Sequence, residues 1–342
     1  MGVSLKDIAE RAGVSLATVS NVVNGYRPVG EHTRRRVQRA IDELGYTPNL
    51  SARHLRRGRT GLIALAVPEL TNPYFAELAE IAIREATSLG YTLVMENTAA
   101  DRDAELMLLN GAQRHIIDGL ILSPVRVGRD EVLGRGSDTP LVLIGEGVHD
   151  APHDHIAIDN VAASHLAVRH LVAAGRRRIS FIGARLDDDR QAAHLRVRGY
   201  REALAEAGLP WRAELVAVTA QFGRSDGVRA MRHLLALDEP PDAVLGYNDL
   251  IAIGALRAAV RAGRDVPGDV AVVGIDDIEE GRYSSPTLTT IAPAKEEIAG
   301  LAVRRLVARI EGRAVAGALT VQTPFRLVVR ESTTGTAHPA PG

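Results

Sequence analysis

The chain has 342 residues, more than the about 250–300 that one hydrophobic core usually supports, so two or three domains are expected. Its 46% hydrophobic and 24% charged residues are typical of a globular protein, and the lack of cysteine excludes disulfides and thiolate chemistry. Neither a signal segment nor a run of about 18 apolar residues is found, so a secreted or membrane-spanning protein is not expected.

The net charge of −1 conceals an uneven distribution. Residues 1–60 contain 11 basic and 5 acidic side chains, a net charge of +6, whereas the rest of the chain carries −7. A basic segment attached to an acidic body is typical of a protein whose first segment binds a polyanion such as nucleic acid. An accidental imbalance gives the same counts, so charge alone leaves both interpretations open.

Three amphipathic helices are predicted within the first 45 residues. The first lies between Ser4, placed to cap it, and Gly13, placed to end it. Ser15 is the predicted cap of the second helix, and the third is predicted to begin at a Thr33 cap and to end at Gly45. Two short helices joined by a glycine turn and braced by a third predict a helix-turn-helix.

The second helix, within VSLATVSNVVNG, carries short polar side chains where a solvated helix usually carries Lys and Glu. Asn21 points away from its apolar side, and small residues flank it: Ala17, Thr18, Ser20 and Asn24. The second helix of a helix-turn-helix enters the major groove, where short polar side chains bond phosphates or base edges. DNA binding is therefore favoured over a small bundle with a polar face.

A basic segment, YTPNLSARHLRRGRTG, follows the third helix. Four arginines surround Leu55: Arg53, Arg56, Arg57 and Arg59. In a DNA-binding arm the arginines would neutralise phosphates and the leucine would insert into a minor-groove step. A plain basic linker has the same composition, and this alternative stays open.

From residue 60 onwards, short apolar runs alternate with amphipathic segments. Two such series occur, beginning at LIALAV (62–67) and RISFIG (178–183). Nearly continuous apolar strands separated by helices predict parallel sheets covered on both faces, so two doubly wound α/β lobes are expected. Ligands of such lobes bind beyond the carboxyl ends of the strands, which places the expected site in the cleft between them.

Polar residues stand at predicted strand ends in both series. Asp159 follows HIAI, Asn248 and Asp249 follow DAVLGY, and Asp276 and Asp277 follow VAVVGI. Each of them is a common helix-capping residue. Taken together, carboxylates and amides from two lobes favour a site for a polar ligand.

The head closely resembles the DNA-binding headpiece and hinge of the lactose-repressor (LacI/GalR-type) family. The resemblance rests on the DIAERAGVS turn, the TVS…VVNG helix, the LGYTPN boundary and the AR-x-L hinge. It implies that Leu16, Ala17 and Asn21 read base edges in the major groove. It also implies a set of DNA-backbone contacts: Ser4, Ser15, Thr18, Ser20, Asn24, Thr33, Tyr46 and Asn49.

The hinge resemblance implies that residues 49–57 form a helix only on DNA. Ala52, Arg53 and Leu55 would then contact the minor groove, with Leu55 opening a central CG step of a pseudo-palindromic double-stranded operator. The base-reading residues differ from those of the lactose repressor itself. The operator sequence therefore cannot be transferred from that protein.

The body resembles the family's effector-binding core, which shares its fold with periplasmic sugar-binding proteins. Matching motifs imply the effector contacts Tyr74, Phe75, Asp159, Arg196, Phe222, Asn248 and Asp276. Pro293 departs from the pattern, because many members have a Gln there that hydrogen-bonds the effector. Asp, Arg and aromatic residues suit a sugar, although relatives use similar groups for purines.

By the same analogy the chain crosses between lobes three times. The expected domains are a head (1–46), a hinge (47–59), an N-lobe (60–174 and 291–322), a C-lobe (175–290 and 323–332) and a disordered tail (333–342). The tail lacks the apolar heptads that make some members tetramers, so a cytoplasmic homodimer is expected.

The sequence thus predicts a repressor whose operator affinity is controlled by a small ligand, with a sugar favoured over a purine or nucleoside. An enzyme with a DNA-targeting head and a ligand-independent DNA-binding protein are the alternatives. No nucleophile elbow or phosphate loop is found, so no catalytic residue, cofactor or metal is expected. Three tempting stretches are set aside: HDAPHDH (149–155), LDDDR (186–190) and GEG (145–147).

Overall fold

The computed structural model describes residues 3–24, 28–46, 58–146, 148, 151–185, 192–313 and 317–335. The chain forms two compact units, Met1–Gly61 and Leu62–Gly342, referred to below as the head and the body. Within the described ranges, no helix is both long and apolar enough to cross a membrane.

The head is a three-helix unit with its own small core. Its helices are α1 (Leu5–Ala12), α2 (Leu16–Asn24) and α3 (Glu31–Leu44). Ile8, Val19 and Val37, one from each helix, are fully buried and belong to one hydrophobic cluster. The helix-turn-helix predicted from the sequence is therefore present.

The ends of the head helices follow from local chemistry, with one exception. Ser4 and Asp7 form a reciprocal capping box on α1, and Gly13 ends that helix with a left-handed φ of 62°. The Ser15 hydroxyl accepts from the Thr18 amide at 3.1 Å, as predicted for a cap. The predicted Thr33 cap is wrong, because α3 begins at Glu31, whose acidic side chain suits the positive end of a helix.

The body contains two six-stranded sheets, one in each lobe. The first has the order β11-β5-β4-β3-β1-β2 and all of its strand pairs are parallel. Its strands are β1 (Leu62–Val67), β2 (Thr92–Asn97), β3 (Gly119–Leu122), β4 (Leu141–Ile144), β5 (Asp154–Ala157) and β11 (Thr320–Gln322).

The second sheet has the order β12-β10-β9-β8-β6-β7, and only the β10–β12 pair is antiparallel. Its strands are β6 (Ile179–Ala184), β7 (Val216–Val218), β8 (Ala243–Gly246), β9 (Ala271–Ile275), β10 (Thr289–Pro293) and β12 (Phe325–Val328). The fold is thus a helix-turn-helix head followed by two doubly wound α/β lobes, as the sequence predicted.

Helices cover both faces of the sheets. They are α4 (Pro73–Ser88), α5 (Arg102–Leu109), α6 (Arg129–Leu133), α7 (Asn160–Ala173), α8 (Ala192–Glu206), α9 (Arg224–Leu235), α10 (Asp249–Arg261), α11 (Glu279–Tyr283), α12 (Lys295–Ile310) and α13 (Glu331–Thr334). Most strands are buried along their whole length, which explains their nearly uninterrupted apolar sequences.

Helix α7 packs in the second lobe, although it was expected in the first. It lies against α8 and also contacts β8, β10 and β12. Gly199 of α8 permits this close packing, because a Cβ atom there would lie 2.1 Å from the Val161 carbonyl oxygen. The first crossing therefore precedes Asn160 and does not lie at residue 174. The buried residues of α7 recur every three or four positions and so form one face of the helix, but this pattern does not indicate which sheet that face covers.

The other chain crossings also differ in detail from the expected boundaries. Strand β10 stays in the second sheet as far as Pro293, so the second crossing follows residue 293 and not 290. Helix α12 then packs on α4 and on the first sheet. The ordered chain extends beyond residue 332, since Thr333 is buried and its hydroxyl lies 2.8 Å from that of Thr289. Residues 336–342 of the predicted tail lie outside the described residues.

Asp154 joins three separate stretches of the chain in the first lobe. Its carboxylate, at the start of β5, accepts from Arg305 at 2.7 Å, from Arg309 at 2.6 Å and from the Leu319 amide at 2.8 Å. Although burial opposes ionisation, hydrogen bonds from Arg309 and Arg305 hold the pKa of Asp154 at about 2. The residue therefore fixes α12 and the start of β11 to the first sheet.

Candidate functional site

Several predicted DNA-contacting residues of the head lie together on one surface. Ser4, Leu16, Ala17, Ser20 and Tyr46 line the same open depression. Leu16 is 52% exposed, which is unusual for a leucine in so small a unit. The surface combines short polar side chains with two exposed apolar residues, Val3 and Leu16, and leaves room for a close approach.

The remaining predicted DNA contacts do not line this depression or lie outside the described residues. The hydroxyls of Ser15 and Thr18 lie 2.9 Å apart at the start of α2, and Asn21 is half-buried. Thr33 lies in the first turn of α3. The structure gives no side-chain placement for Asn24, and Asn49, Ala52, Arg53 and Leu55 lie outside the described residues.

Arg36 supports the helix-turn-helix and was missed in the sequence. From α3 its Nη2 atom donates to the carbonyl oxygens of Ala12 at 2.6 Å and Gly13 at 3.2 Å. These carbonyls close the first helix, where no intrahelical donor is left for them. Arg36 therefore fixes the turn that sets the angle between α1 and α2.

A cavity of about 580 Å³ lies between the two lobes of the body, at the carboxyl ends of their strands. Six of the seven predicted effector contacts line it: Tyr74, Phe75, Arg196, Phe222, Asn248 and Asp276. Pro293 lines it as well. Asp159 does not, because its carboxylate caps α7 by accepting from the Ala162 amide at 2.9 Å, and the next residue, Asn160, faces the cavity instead.

Arg196 is the centre of the polar wall of the cavity. Only 7% exposed, it donates from Nε to Asn160 Oδ1 at 2.5 Å and from Nη1 to the Tyr247 carbonyl. Its Nη2 atom lies 3.9 Å from Asp276, and its guanidinium carbon lies 4.6 Å from the centre of the Tyr247 ring. The guanidinium is held in one orientation, with a carboxylate beside it.

Asp276 completes this wall from the end of β9. It adopts a φ of 122°, which is uncommon for a residue with a side chain, and it is 6% exposed. Burial raises the pKa of Asp276 to about 6, against the opposing effect of the Arg196 and Lys295 charges. A ligand that donates hydrogen bonds to this carboxylate would favour its ionised form.

Aromatic rings form the walls on both sides of these polar groups. Tyr74 and Phe75 meet edge to face, with ring centres 5.2 Å apart, in the first turn of α4 that Asn72 caps. In the second lobe Phe222 stacks on Tyr247 at 4.0 Å. Such rings can cover the apolar faces of a sugar or of a nucleobase.

Glu146, Asn160 and Tyr247 also line the cavity and were not predicted from the sequence. Asn160 Nδ2 donates to Glu146 Oε1 at 2.7 Å, and burial raises the pKa of Glu146 to about 7. Glu146 follows the strand PLVLIG, so the strand-end argument that identified Asp276 applies to it equally. In the sequence it lies within GEG (145–147), one of the stretches that were set aside.

A contact between the lobes lies beside the cavity. Glu77 of α4, in the first lobe, accepts from the Glu279 amide of the second lobe at 3.2 Å. Lys295, at the start of α12, donates to Glu77 and to the Asp277 carbonyl, and its Nζ atom lies 5.7 Å from the centre of the Tyr74 ring. Movement of one lobe relative to the other would strain these hydrogen bonds.

Two of the polar residues at strand ends stabilise the second lobe and do not line the cavity. Asp277 accepts from Arg330 at 2.5 Å and from Arg282 at 3.2 Å. Asp249 is fully buried and accepts from the Thr290 hydroxyl at 2.6 Å and from the Ile278 amide at 2.9 Å. Burial, with the nearby Asp276 charge, raises the pKa of Asp249 to about 7.

The raised pKa of Asp249 predicts that stability falls as pH rises. An unfolded Asp loses its proton near pH 3.9, whereas the folded one keeps it to about pH 7, so the unfolded state binds fewer protons between these values. In Asp249→Asn this contribution is absent, and the free energy of unfolding should fall less between pH 5 and pH 8 than in the wild type. Urea unfolding of the wild type and of Asp249→Asn at pH 5 and pH 8 measures the two falls in free energy. The exposed Asp238→Asn is the control. Equal falls in wild type and Asp249→Asn would contradict it.

The HDAPHDH stretch is described only from Ala151 onwards. In the part of the chain that the structure describes, no group of three or more His, Cys, Asp or Glu could hold a metal ion. His149 and the LDDDR stretch lie outside the described residues.

Two family models match the chain. One, for bacterial regulatory proteins of the lacI family, matches residues 4–49, and one for a periplasmic binding protein-like domain matches residues 168–333. The chain is 33% identical to catabolite control protein A of Priestia megaterium over 97% of its own length and 100% of that protein. It is 36% identical to the ribose operon repressor of Escherichia coli (strain K12) over 90% and 93% of the two lengths.

Solved structures with both units are similar as well. The lac repressor dimer bound to operator and the anti-inducer ONPF superposes with a TM-score of 0.77 at 28% identity, over 97% of this chain and 99% of that one. The complex of the transcriptional regulator CelR with cellobiose has a TM-score of 0.70 at 33% identity, over 96% and 99%. The relatives named here are regulators of transcription.

Proposed function

Because the chain belongs to the lacI family of bacterial regulatory proteins, we propose that it is a transcriptional repressor whose operator affinity is controlled by a sugar bound between its lobes. The observation that carries this proposal is the buried Arg196–Asp276 pair, 3.9 Å apart, between two sets of aromatic rings. A guanidinium donates and a carboxylate accepts, so the two together match the hydroxyls of a sugar.

The DNA-binding half of the proposal rests on the head. A dimer, the form in which the lac repressor is bound to its operator, would place two α2 helices in successive major grooves of a pseudo-palindrome. Leu16, Ala17 and Asn21 would read bases, and the hinge residues Ala52 and Leu55 would bind the minor groove at a CG step. Ligand binding then alters operator affinity through the lobes, with a coupling of about 1–3 kcal/mol, or about 5–150-fold.

Replacing Leu55 with alanine should weaken operator binding and leave ligand binding unchanged. The larger side chain inserts between base pairs in this proposal, and the smaller one cannot hold them apart. Fluorescence anisotropy with a labelled operator measures the first effect, and calorimetry with the ligand measures the second. Unchanged operator affinity in Leu55→Ala would rule out the insertion.

The proposal as a whole is tested by ligand screening followed by operator binding. Thermal unfolding of the full chain against monosaccharides, disaccharides, sugar phosphates, nucleobases and nucleosides should give one class of hit, because a ligand at about 100 times its Kd stabilises by about 2.7 kcal/mol. The hit must then change operator affinity. A ligand that binds without this effect, or turnover of the ligand by the protein, would contradict a ligand-controlled repressor.

A purine or nucleoside effector is the second candidate. The Phe222–Tyr247 stack, with its centres 4.0 Å apart, offers a flat surface that a nucleobase could cover. The same panel decides between the two classes, since a purine effector would give a nucleobase hit and no sugar hit.

A further inference from the structure

Two more arginines line the cavity from opposite lobes. Arg126 follows β3 in the first lobe, and Arg185 follows β6 in the second. Neither belongs to the network around Arg196, Asn160 and Asp276. The cavity therefore contains one buried polar wall and, separate from it, two further cationic groups.

The side chain of neither arginine is paired with a carboxylate of the described residues, although the Arg126 backbone amide donates to Glu105 Oε2 at 2.9 Å. Arg126 donates from Nε to the Ala100 carbonyl at 3.2 Å. Arg185 donates from Nη2 to the Ala220 carbonyl at 2.6 Å, and its guanidinium carbon lies 5.3 Å from the centre of the Phe222 ring. The Nε atom of Arg185 is buried and has no hydrogen-bond partner in the described part of the chain. A buried donor without a partner is costly unless a bound group supplies one.

We propose that the ligand of this cavity is a sugar that carries an anionic group, a phosphate ester or a carboxylate, which Arg126 and Arg185 bind from the two lobes. This inference rests on the proposed function and specifies its ligand. The forked guanidinium group matches the oxygens of phosphate and carboxylate, and both arginines have side-chain donors without a partner among the described residues.

The start of helix α8 contributes to the same region. Ala192 and Ala193, its first two residues, line the cavity, so the positive end of a 15-residue helix faces the space that Arg185 borders. Backbone amides at such an end favour a bound anion. The hydroxyls of the ligand would lie at the Arg196 wall, and its anionic group would lie beside these cations.

An anion bound in this way also links the lobes. Arg126 and Arg185 line the cavity from different lobes, so an anion that both of them bind contacts the two lobes at once. The anionic ligand therefore stabilises the arrangement of the two lobes in which both arginines reach it. A neutral sugar lacks the anionic group and does not stabilise this arrangement. A ligand changes a conformational equilibrium only through such a difference in affinity.

The test compares matched ligands on the full chain. Calorimetry and thermal unfolding are carried out with neutral hexoses, their 6-phosphates and 1-phosphates, the corresponding aldonic acids, and inorganic phosphate alone. We expect an anionic sugar to bind at least about ten-fold more tightly than its neutral counterpart. Its affinity should fall as the salt concentration is raised. Inorganic phosphate distinguishes a site for a free anion from one for an anionic sugar, and tighter binding of phosphate alone would overturn the sugar assignment.

Three variants locate the effect. Arg126→Gln and Arg185→Gln should each lose about ten-fold or more in affinity for the anionic sugar and little for its neutral counterpart. Arg178→Gln is the matched control, because the Arg178 side chain also donates to a backbone carbonyl, at 2.9 Å from Pro240 O, but lies outside the cavity. Equal losses in all three variants, or none, would overturn the inference.

The outcomes separate this inference from the proposed function. A neutral sugar that binds best and changes operator affinity overturns the anionic ligand and leaves the repressor intact. If no compound of either class binds or changes operator affinity, the anionic ligand and the ligand-controlled repressor are both contradicted.

Discussion

Arg196→Gln is expected to lose about 100-fold or more in affinity for the effector while it keeps the operator affinity of the unliganded protein. The substitution removes a guanidinium that is held in place by Asn160 and Tyr247 and lies 3.9 Å from Asp276. Charged hydrogen bonds of this kind contribute about 1.5–3 kcal/mol each, and the ligand would lose more than one. Calorimetry measures the affinity, and anisotropy measures operator binding with and without ligand.

Two further variants make this result specific. Arg196→Lys keeps the charge but not the fork, so it should lose affinity to a smaller extent. Arg198→Gln lies on the same helix and removes only an exposed ion pair, 3.5 Å from Glu202, so it should bind ligand normally. Wild-type affinity in a folded Arg196→Gln would show that the ligand does not use this wall.

The second large effect is expected on stability. Asp154→Ala should reduce the free energy of unfolding by about 3–5 kcal/mol, because it leaves Arg305 and Arg309 without the buried carboxylate that accepts from both. Urea unfolding at pH 7 measures the loss. Glu311→Gln, which removes an ion pair 2.7 Å long at the end of the same helix, is the control and should cost under about 1 kcal/mol.

The Asp154 effect should also depend on pH in a defined direction. The folded pKa of about 2 lies below the unfolded value of about 3.9, so the stabilisation is present above pH 4 and is lost as pH falls through 2. The difference between wild type and Asp154→Ala should therefore shrink towards acid. A difference that is constant down to pH 2 would show that the loss comes from packing and not from the charge.

Features that depend on neighbouring residues could be predicted from the sequence. The Ser4 cap, the Gly13 turn and the Ser15 cap depend on residues three or four positions away, and all three are present. Short, nearly uninterrupted apolar runs predicted the two mainly parallel sheets, because strands buried on both faces have such sequences. The position of Asp276 in the cavity could also be predicted, because the carboxyl ends of parallel strands meet at one edge of a sheet.

Features that depend on distant packing could not be predicted. Whether α7 covers the first or the second sheet is decided by its contact with α8, where Gly199 approaches the Val161 carbonyl. Asp159 and Asn160 are adjacent polar residues, and only the orientation of the helix start decides which one faces the cavity. That the side chains of Arg126 and Arg185 have no carboxylate partner among the described residues could likewise not be predicted, because charge composition does not show which ions are paired.

The order of the strands has a consequence for biosynthesis. The first sheet is completed by β11, Thr320–Gln322, and is covered by α12, which lie more than 130 residues after β5 in the chain. A ribosome must therefore release almost the entire polypeptide before this lobe can close, whereas the contiguous head can fold as soon as it emerges. Contacts so distant in sequence also slow folding. The nascent regulator is thus expected to carry a finished DNA-binding head well before it can respond to any ligand.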